Sequence, residues 1–344
     1  MKVLVLKPSS LGDIIHALPV IRHLRRQHPS AQIDWWILPS LMPLLAEDPD
    51  IHRLVPFDRK TWGKWTHWQQ TLKQLLALRH QHYDLVLDLQ GLARTALVGR
   101  FCAARRFVGL GDWREFAPLF QGESVPRQTS QTHAVDWYLD VLRHLGIPHT
   151  APIEWLPERP AGRSQIERDF PTLNSGYWIG FQPGARWDNK RWPAQSFAQL
   201  AKSLNTRLPE CRIAVFGGPD ETQLGQLIAQ ALPGRILDLT GRLSLPGMIE
   251  GLRRMQLLVT NDTGPMHVAT ALGRPVVALF GPTAAERTGP YGQLYNVLRT
   301  PNLPCAPCMK DRCNYFEPLA CLTRIDPEQV ATEVFHRFKA GFKL

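Results

Sequence analysis

An α/β chain with two Rossmann-like domains, each a parallel sheet covered by helices, is predicted by three features of the sequence. Short β-branched or leucine-rich runs alternate with helix-periodic segments, as sheets buried on both faces require. The alternation occurs twice, in residues 1–150 and 176–326, and 344 residues suffice for two domains of ordinary size. Between them, residues 148–164 hold Pro148, Pro152, Pro157, Pro160 and Gly162 with little periodicity. Proline at that density denies helix and sheet their backbone bonds, so a linker is expected over 151–175.

In the first half the runs at 3–7, 33–37, 85–88 and 107–109 read as strands. Ile14, Leu18, Ile21 and Leu24 recur at helical spacing between the first two, which makes a strand–helix–strand unit. The second half repeats the habit at 177–181, 212–216, 236–239, 257–260 and 276–279. Helices are expected over 193–207, 221–231 and 245–255, with a C-terminal helix in 327–344. No solenoid repeat and no low-complexity tract interrupts the pattern.

A hydrophobic fraction of 44% and a charged fraction of 20% are those of a soluble globular protein. No apolar run approaches the roughly 20 residues a membrane span needs, and the N-terminal apolar core is too short for a secretory signal. The cytoplasm is therefore expected. The net charge of +10 is spread evenly, with 18 Lys/Arg against 13 Asp/Glu in residues 1–150 and 22 against 17 afterwards. There is no basic tail or nucleic-acid module, so nucleic acid is not expected as a partner. A diffuse positive field suits anionic small molecules and an anionic membrane surface.

The most informative stretch is TNDTGPMHVATALGRPVVALFGPT, residues 260–283: strand, polar turn, short helix, strand. Asp262-Thr263-Gly264-Pro265 supplies a capping residue, a glycine and a helix-starting proline. A helix opening at a strand's carboxyl end aims free N–H groups and a positive dipole end at a phosphate. Thr263 and His267 add side-chain donors nearby.

Three other strand-ending loops carry candidate chemistry. In KPSSLGDIIHALP, residues 7–19, no Gly-Lys-Ser/Thr and no GxGxxG occurs, so neither a P-loop nor a dinucleotide fingerprint is present. Asp13 there reads either as a carboxylate stabilising a helix N-terminus or as a general base. In FQPGARWDNKRWP, residues 181–193, Lys190 can reach a diphosphate as a mobile point charge, with Arg186 and Arg191 as competitors. In FGGPDE, residues 216–221, Gly217 and Gly218 allow close backbone approach, and Glu221 reads as a ribose acceptor or as an ordinary first-turn acid.

Cys305, Cys308, Cys313 and Cys321 are spaced x2, x4, x7, which gives one CxxC hook where a zinc ribbon wants two. The spacing fits no standard iron–sulfur run, so a reduced, loop-ordering cluster is expected in place of a metal site. Ten of the twelve histidines fall in the first 150 residues without metal spacing. Trp62, Trp65 and Trp68 recur every three residues, the pattern of packing or a lid.

Taken together, the LGD loop, the DNKRWP segment and the NDTGPMHVA stretch resemble the ADP-heptose:lipopolysaccharide heptosyltransferases of glycosyltransferase family 9. DLQGLARTAL at 88–97 and THAVDWYLDVLRHLGI at 132–147 are similar to the first heptosyltransferase of that group, and the resemblance spans residues 1–300 in order. It implies the GT-B architecture, two Rossmann-like domains facing across a cleft, and an inverting transfer that needs no metal and no cofactor. It implies ADP-heptose as donor, acidic lipopolysaccharide core as acceptor, and a peripheral position on the cytoplasmic face of the inner membrane. Residue by residue it makes Asp13 the general base and Lys190 the diphosphate ligand. Asp262, Thr263, Gly264, Met266 and His267 form the donor turn, with Glu221 near ribose and Leu243 near adenine. Ser10, Gly12, Lys64, Arg94 and Arg114, with Arg105 and Arg106, are implied on the acceptor side.

Two features depart from the family pattern. Ala185, Arg186 and Trp187 stand where hydroxyl residues often precede the lysine, and the four-cysteine segment is absent from the best-known members. Two other readings remain open: a GT-B transferase or epimerase using another sugar nucleotide, and a catalytically silent sugar-nucleotide-binding protein.

Overall fold

The computed structural model describes residues 1–58, 66, 68–111 and 114–341, without the side chain of Arg114. Trp62, Lys64 and Trp65 lie outside the described residues. The chain divides into two compact units, Met1–Pro157 and Glu158–Leu344.

The first unit runs β1 (Lys2–Leu6), α1 (Leu11–Gln27), β2 (Gln32–Ile37), β3 (Arg53–Pro56), α2 (Trp68–Arg79), β4 (Leu85–Asp88), α3 (Ala93–Phe101), β5 (Arg106–Leu110), β6 (Glu123–Val125) and α4 (Ala134–His144). Its six strands are all parallel in the order β3-β2-β1-β4-β5-β6. The central strand β1 is buried at Val3, Leu4, Val5 and Leu6, so it reads as a continuous apolar run, as a strand covered on both faces must. Sequence periodicity missed β3 and β6. Both are short edge strands, one closed by Pro56 and one only three residues long, with too little apolar pattern to detect.

The second unit runs α5 (Pro160–Asp169), β7 (Tyr177–Gln182), α6 (Ala194–Arg207), β8 (Cys211–Val215), α7 (Thr222–Ala229), β9 (Ile236–Asp238), α8 (Leu245–Arg253), β10 (Leu257–Asn261), α9 (Gly264–Ala271), β11 (Val276–Leu279), α10 (Ala285–Thr288), β12 (Val297–Leu298), α11 (Ala320–Thr323) and α12 (Pro327–Gly341). Its sheet is again parallel, in the order β12-β11-β10-β7-β8-β9. The core joins Ile179, Phe181, Trp192, Phe197 and Val259 to Val330 and Val334 of α12, so the last helix is part of this body.

The segment expected as a linker is structured. α5 occupies much of it because Pro160 stands in the first helical turn, where a missing N–H costs nothing. Gly162 lets that helix lie against α8: a Cβ there would come within 2.2 Å of the Pro246 carbonyl oxygen. The two ends of the boundary are held by opposite units. The buried Arg22 guanidinium of α1 donates to the Trp155 carbonyl at 3.0 Å while pairing with Asp48 and Asp50. Four residues after Trp155, the Arg159 amide donates to Glu250 of α8 at 2.9 Å.

In each sheet the strand order reverses beside the first strand of its unit, between β1 and β4 and between β7 and β10. Loops leaving the carboxyl ends of two such strands part company and open a crevice, the usual ligand position in open α/β sheets. Lys7, Asp13 and Asp88 stand at the first switch point, and Lys190, Asp262 and Thr263 at the second.

Candidate active site

In the second unit, the buried Asn261 closes β10 and ties the two central loops together. Its Nδ2 donates to the Pro183 carbonyl at 2.7 Å, and its Oδ1 accepts from the Trp192 amide at 3.1 Å. The loop after β7 is thereby fixed so that the 3₁₀ turn Asp188–Lys190 faces the next residue, Asp262. Lys190 Nζ donates to Asp262 Oδ2 at 2.6 Å, and Thr283 Oγ1 donates to the same oxygen at 2.7 Å. The ammonium also lies 4.6 Å from the centroid of the Trp187 ring, a cation–π contact. Arg186 points into solvent, and Arg191 pairs with Asp188 at 2.8 Å, so of the three cations it is Lys190 that meets Asp262.

Thr263, in extended conformation, is the N-cap of α9, and Gly264 and Pro265 open its first turn. The sequence expectation of a helix N-terminus at this strand end therefore holds. His267 is buried in the helix, 8% exposed. The Met266 side chain is fully buried among Ala278, Phe280 and Ala285, so it packs the helix onto the sheet.

Glu221 closes the 3₁₀ turn Pro219–Glu221 and accepts from the Gly218 amide at 2.9 Å and from Gln182 Nε2 at 3.3 Å. It thus spans the ends of β7 and β8. Gly184 makes room for it: a Cβ there would come within 1.8 Å of Glu221 Oε1. Leu243 is half-buried on the turn after β9, which is joined to the β8 loop by the Gly241 amide donating to the Gly217 carbonyl at 2.9 Å. Thr283, Asn261 and Trp187 were not singled out from sequence. Thr283 does close the 260–283 stretch, and Trp187 stands where the resemblance leads one to expect hydroxyls.

In the first unit, Asp13 is the third residue of α1. Its Oδ2 accepts from the Ser10 amide at 2.9 Å and the Ser10 hydroxyl at 2.7 Å, so the helix-stabilising reading of Asp13 is realised. The carboxylate is still 38% exposed, which leaves it open to a reactant as well. Ser10 is exposed and Gly12 buried beside it. Lys7, buried at the end of β1, brings its Nζ to 4.0 Å from Asp13 Oδ1 and 5.1 Å from the Tyr138 ring. Desolvation works to discharge that ammonium, but Asp13, Tyr138 and Asp88 outweigh it and hold its pKa above the ordinary lysine value. Asp88 is pushed up to about 6 by burial, against the opposing pull of the Gly91 amide, the Thr95 hydroxyl, the Gln90 amide and Lys7.

The proposed acceptor contacts are less convergent. Arg94 is exposed and 3.8 Å from Glu115; Arg105 is exposed and 3.6 Å from Asp84; Arg106 is held by Glu123 at 2.7 Å. Arg114 opens the 3₁₀ turn Arg114–Phe120, and Lys64 lies outside the described residues. All four C-terminal cysteines are free thiols lining one cavity of about 140 Å³. Burial, then the neighbouring Cys313, Cys305 and Cys308, push Cys321 up to about 11. Among the described residues no group of His, Cys, Asp or Glu is arranged to hold a metal ion. The cysteine loop is tied to the loops that bear Lys190 and Thr283, with Asn189 donating to the Lys310 carbonyl at 2.8 Å and the Met309 amide to the Pro282 carbonyl at 2.8 Å.

Known proteins share this arrangement of elements. Lipopolysaccharide heptosyltransferase 1 of Pseudomonas aeruginosa is 31% identical over 97% of both chains. The solved ADP-heptose lipopolysaccharide heptosyltransferase II of E. coli superposes with a TM-score of 0.78 at 25% identity, covering 99% of each chain. An E. coli heptosyltransferase solved with ADP-2-deoxy-2-fluoro heptose gives a TM-score of 0.74 at 25% identity, covering 97% of this chain and 99% of that one. The two-sheet pattern predicted from sequence is therefore the GT-B fold, and residues 71–317 match the family described as glycosyltransferase family 9 (heptosyltransferase). On that match, and on a relative similar along nearly its whole length, the chain belongs to glycosyltransferase family 9 and is a transferase.

Proposed function

We propose that this chain moves a heptose from ADP-heptose to the inner core of lipopolysaccharide, on a Kdo or heptose acceptor, with inversion at the anomeric carbon. The observation that carries the reading is the convergence of Lys190, Asp262 and Thr283 beside the N-terminus of α9, at the second sheet's switch point. A partly buried lysine next to a helix N-terminus suits a diphosphate, and a carboxylate beside it suits sugar hydroxyls. The similarity to a heptosyltransferase that binds an ADP-heptose analogue supports the same donor here.

In this reading the acceptor hydroxyl attacks the anomeric carbon as the bond from that carbon to the β-phosphate oxygen breaks. Asp13 takes the hydroxyl proton, and ADP leaves with the bonding pair. Negative charge grows on ADP in the transition state, so Lys190 and the α9 amides stabilise it more than they stabilise the bound donor. A carboxylate of ordinary basicity suffices, because the hydroxyl becomes acidic only as attack proceeds. Ser10, Gly12, Lys64, Arg94 and Arg114 would meet the acidic acceptor. The net charge of +10 favours an anionic surface, and among the described residues no helix is long and apolar enough to cross a membrane. A peripheral position on the cytoplasmic face of the inner membrane fits both.

Mass analysis of products formed from ADP-heptose and defined core acceptors tests the reaction. One added heptose is expected, and Asp13→Asn, which keeps an oxygen for the Ser10 amide, should lose turnover while staying folded. Stabilisation by UDP and none by ADP would overturn the donor assignment.

A further inference from the structure

Twelve large apolar side chains are exposed among the described residues, and six of them crowd onto α2, α3 and the turn Arg114–Phe120. They are Trp68, Leu72, Leu76, Leu97, Phe116 and Leu119, between 39% and 67% exposed. On α2, Trp68, Leu72 and Leu76 recur every fourth residue and so form one stripe, while Leu75 and Leu78 pack against the core. The three elements are physically joined. Arg79 at the end of α2 donates to the Phe101 carbonyl at the end of α3 at 3.2 Å, and Arg94 at the start of α3 lies 3.8 Å from Glu115 of the turn.

The exposed charge on these elements is predominantly positive. α2 and α3 contain no acidic residue, whereas Lys73, Arg79, Arg94 and Arg100 lie exposed on the same two helices. The single acid of the turn, Glu115, is paired to Arg94. Aromatic and leucine side chains accompanied by cations match a bilayer interface, where the apolar tips enter the acyl boundary and the cations meet lipid phosphates. A second copy of the chain fits less well. A symmetric contact through this face would set Lys73, Arg79, Arg94 and Arg100 against the same cations of the partner.

We propose that α2, α3 and the turn Arg114–Phe120 form the face by which this chain rests on an anionic lipid bilayer. The proposal deepens the functional reading above, since a lipid-linked acceptor core must be met at such a surface. α3 follows β4, whose carboxyl end carries Asp88 at the first switch point, so docking here would bring that crevice to the membrane.

Vesicle co-sedimentation of the full chain tests it, with phosphatidylglycerol–phosphatidylethanolamine vesicles against phosphatidylcholine alone. The chain should bind the anionic vesicles, and the triple variant Leu72→Gln, Leu76→Gln, Leu97→Gln should bind them at least about tenfold more weakly. A second variant, Lys73→Glu with Arg100→Glu, should lose binding likewise, and high salt should weaken the parent. Both variants should keep the parent's melting temperature and its rate on a soluble, delipidated acceptor. Undiminished vesicle binding by both variants would overturn the proposal. So would a parent dimer that becomes monomeric in the triple variant, since the face would then be a contact between copies. Failure of the parent to transfer heptose to the soluble acceptor would instead count against the enzymatic reading, whatever the vesicles show.

Discussion

Lys190 and Asp262 neutralise each other across 2.6 Å, although the resemblance assigns Lys190 to the donor diphosphate and Asp262 to the donor turn. Both are largely shielded from solvent, and Thr283 and Trp187 hold the pair in place. An arriving diphosphate brings more negative charge than one carboxylate, so it competes for the ammonium and releases Asp262 towards the sugar. The two residues are therefore separable by ligand. Lys190→Met should weaken ADP and ADP-heptose alike, by about a hundredfold or about 3 kcal/mol. Asp262→Asn should leave ADP binding intact or tighter, while transfer falls. Calorimetry with ADP and steady-state rates read the two arms, and an equal loss of ADP affinity in both variants would contradict the exchange.

Gly184 and Glu221 are bound by space. A methyl group at Gly184 would occupy the position of the Glu221 carboxylate, and the end of a flexible side chain yields more easily than backbone. Gly184→Ala should therefore expel Glu221 from the Gly218 amide and Gln182 without unfolding the domain. If Glu221 meets the ribose, KM for the donor rises roughly tenfold with kcat little changed, the size of a lost charged hydrogen bond. A variant with parental KM would mean that Glu221 serves the loop alone.

Lys7 is a positioning residue for Asp13 in this geometry. Its buried ammonium, 4.0 Å from the carboxylate, favours the ionised form that can accept a proton. Lys7→Met removes that charge, so the acid limb of the pH–rate profile should move to higher pH. Lys7→Arg should restore it. A uniform fall in rate with an unmoved profile would indicate a structural role only.

Much of this was legible because the physics is local. Apolar runs and helical spacing mark both sheets, and glycine or proline at strand ends marks the loops that bear Asp13, Lys190, Glu221 and Asp262. What was hidden depends on residues far apart in sequence. Nothing local links Lys190 to Asp262, 72 residues away, or Thr283 to Asp262. The helix that starts at Pro160 was hidden within the expected linker because proline is a breaker inside a helix but a fitting start to one. The burial of Met266 was hidden as well, because the residues it packs against, Ala278, Phe280 and Ala285, follow it by twelve or more positions.

Asp88 gives a pH dependence whose sign follows from its burial. Its carboxyl is raised to about 6 from an ordinary value of 3.8, so the folded chain holds this proton more tightly than the unfolded chain. Stability from this group is complete below the unfolded value and is lost as pH rises through about 6. A shift of about two units corresponds to about 3 kcal/mol. Asp88→Asn keeps an oxygen for the Gln90 and Gly91 amides and can donate to the Thr95 hydroxyl, which remains bonded to the Leu92 carbonyl. The variant cannot ionise. Relative to the parent, its unfolding free energy in urea should therefore rise by up to about 3 kcal/mol between about pH 4 and pH 7. Lys7 stays protonated throughout that range, so its lost partner shifts the whole curve and leaves the slope difference intact. Parallel curves for the two proteins would mean that Asp88 binds its proton no more tightly in the fold than in the unfolded chain.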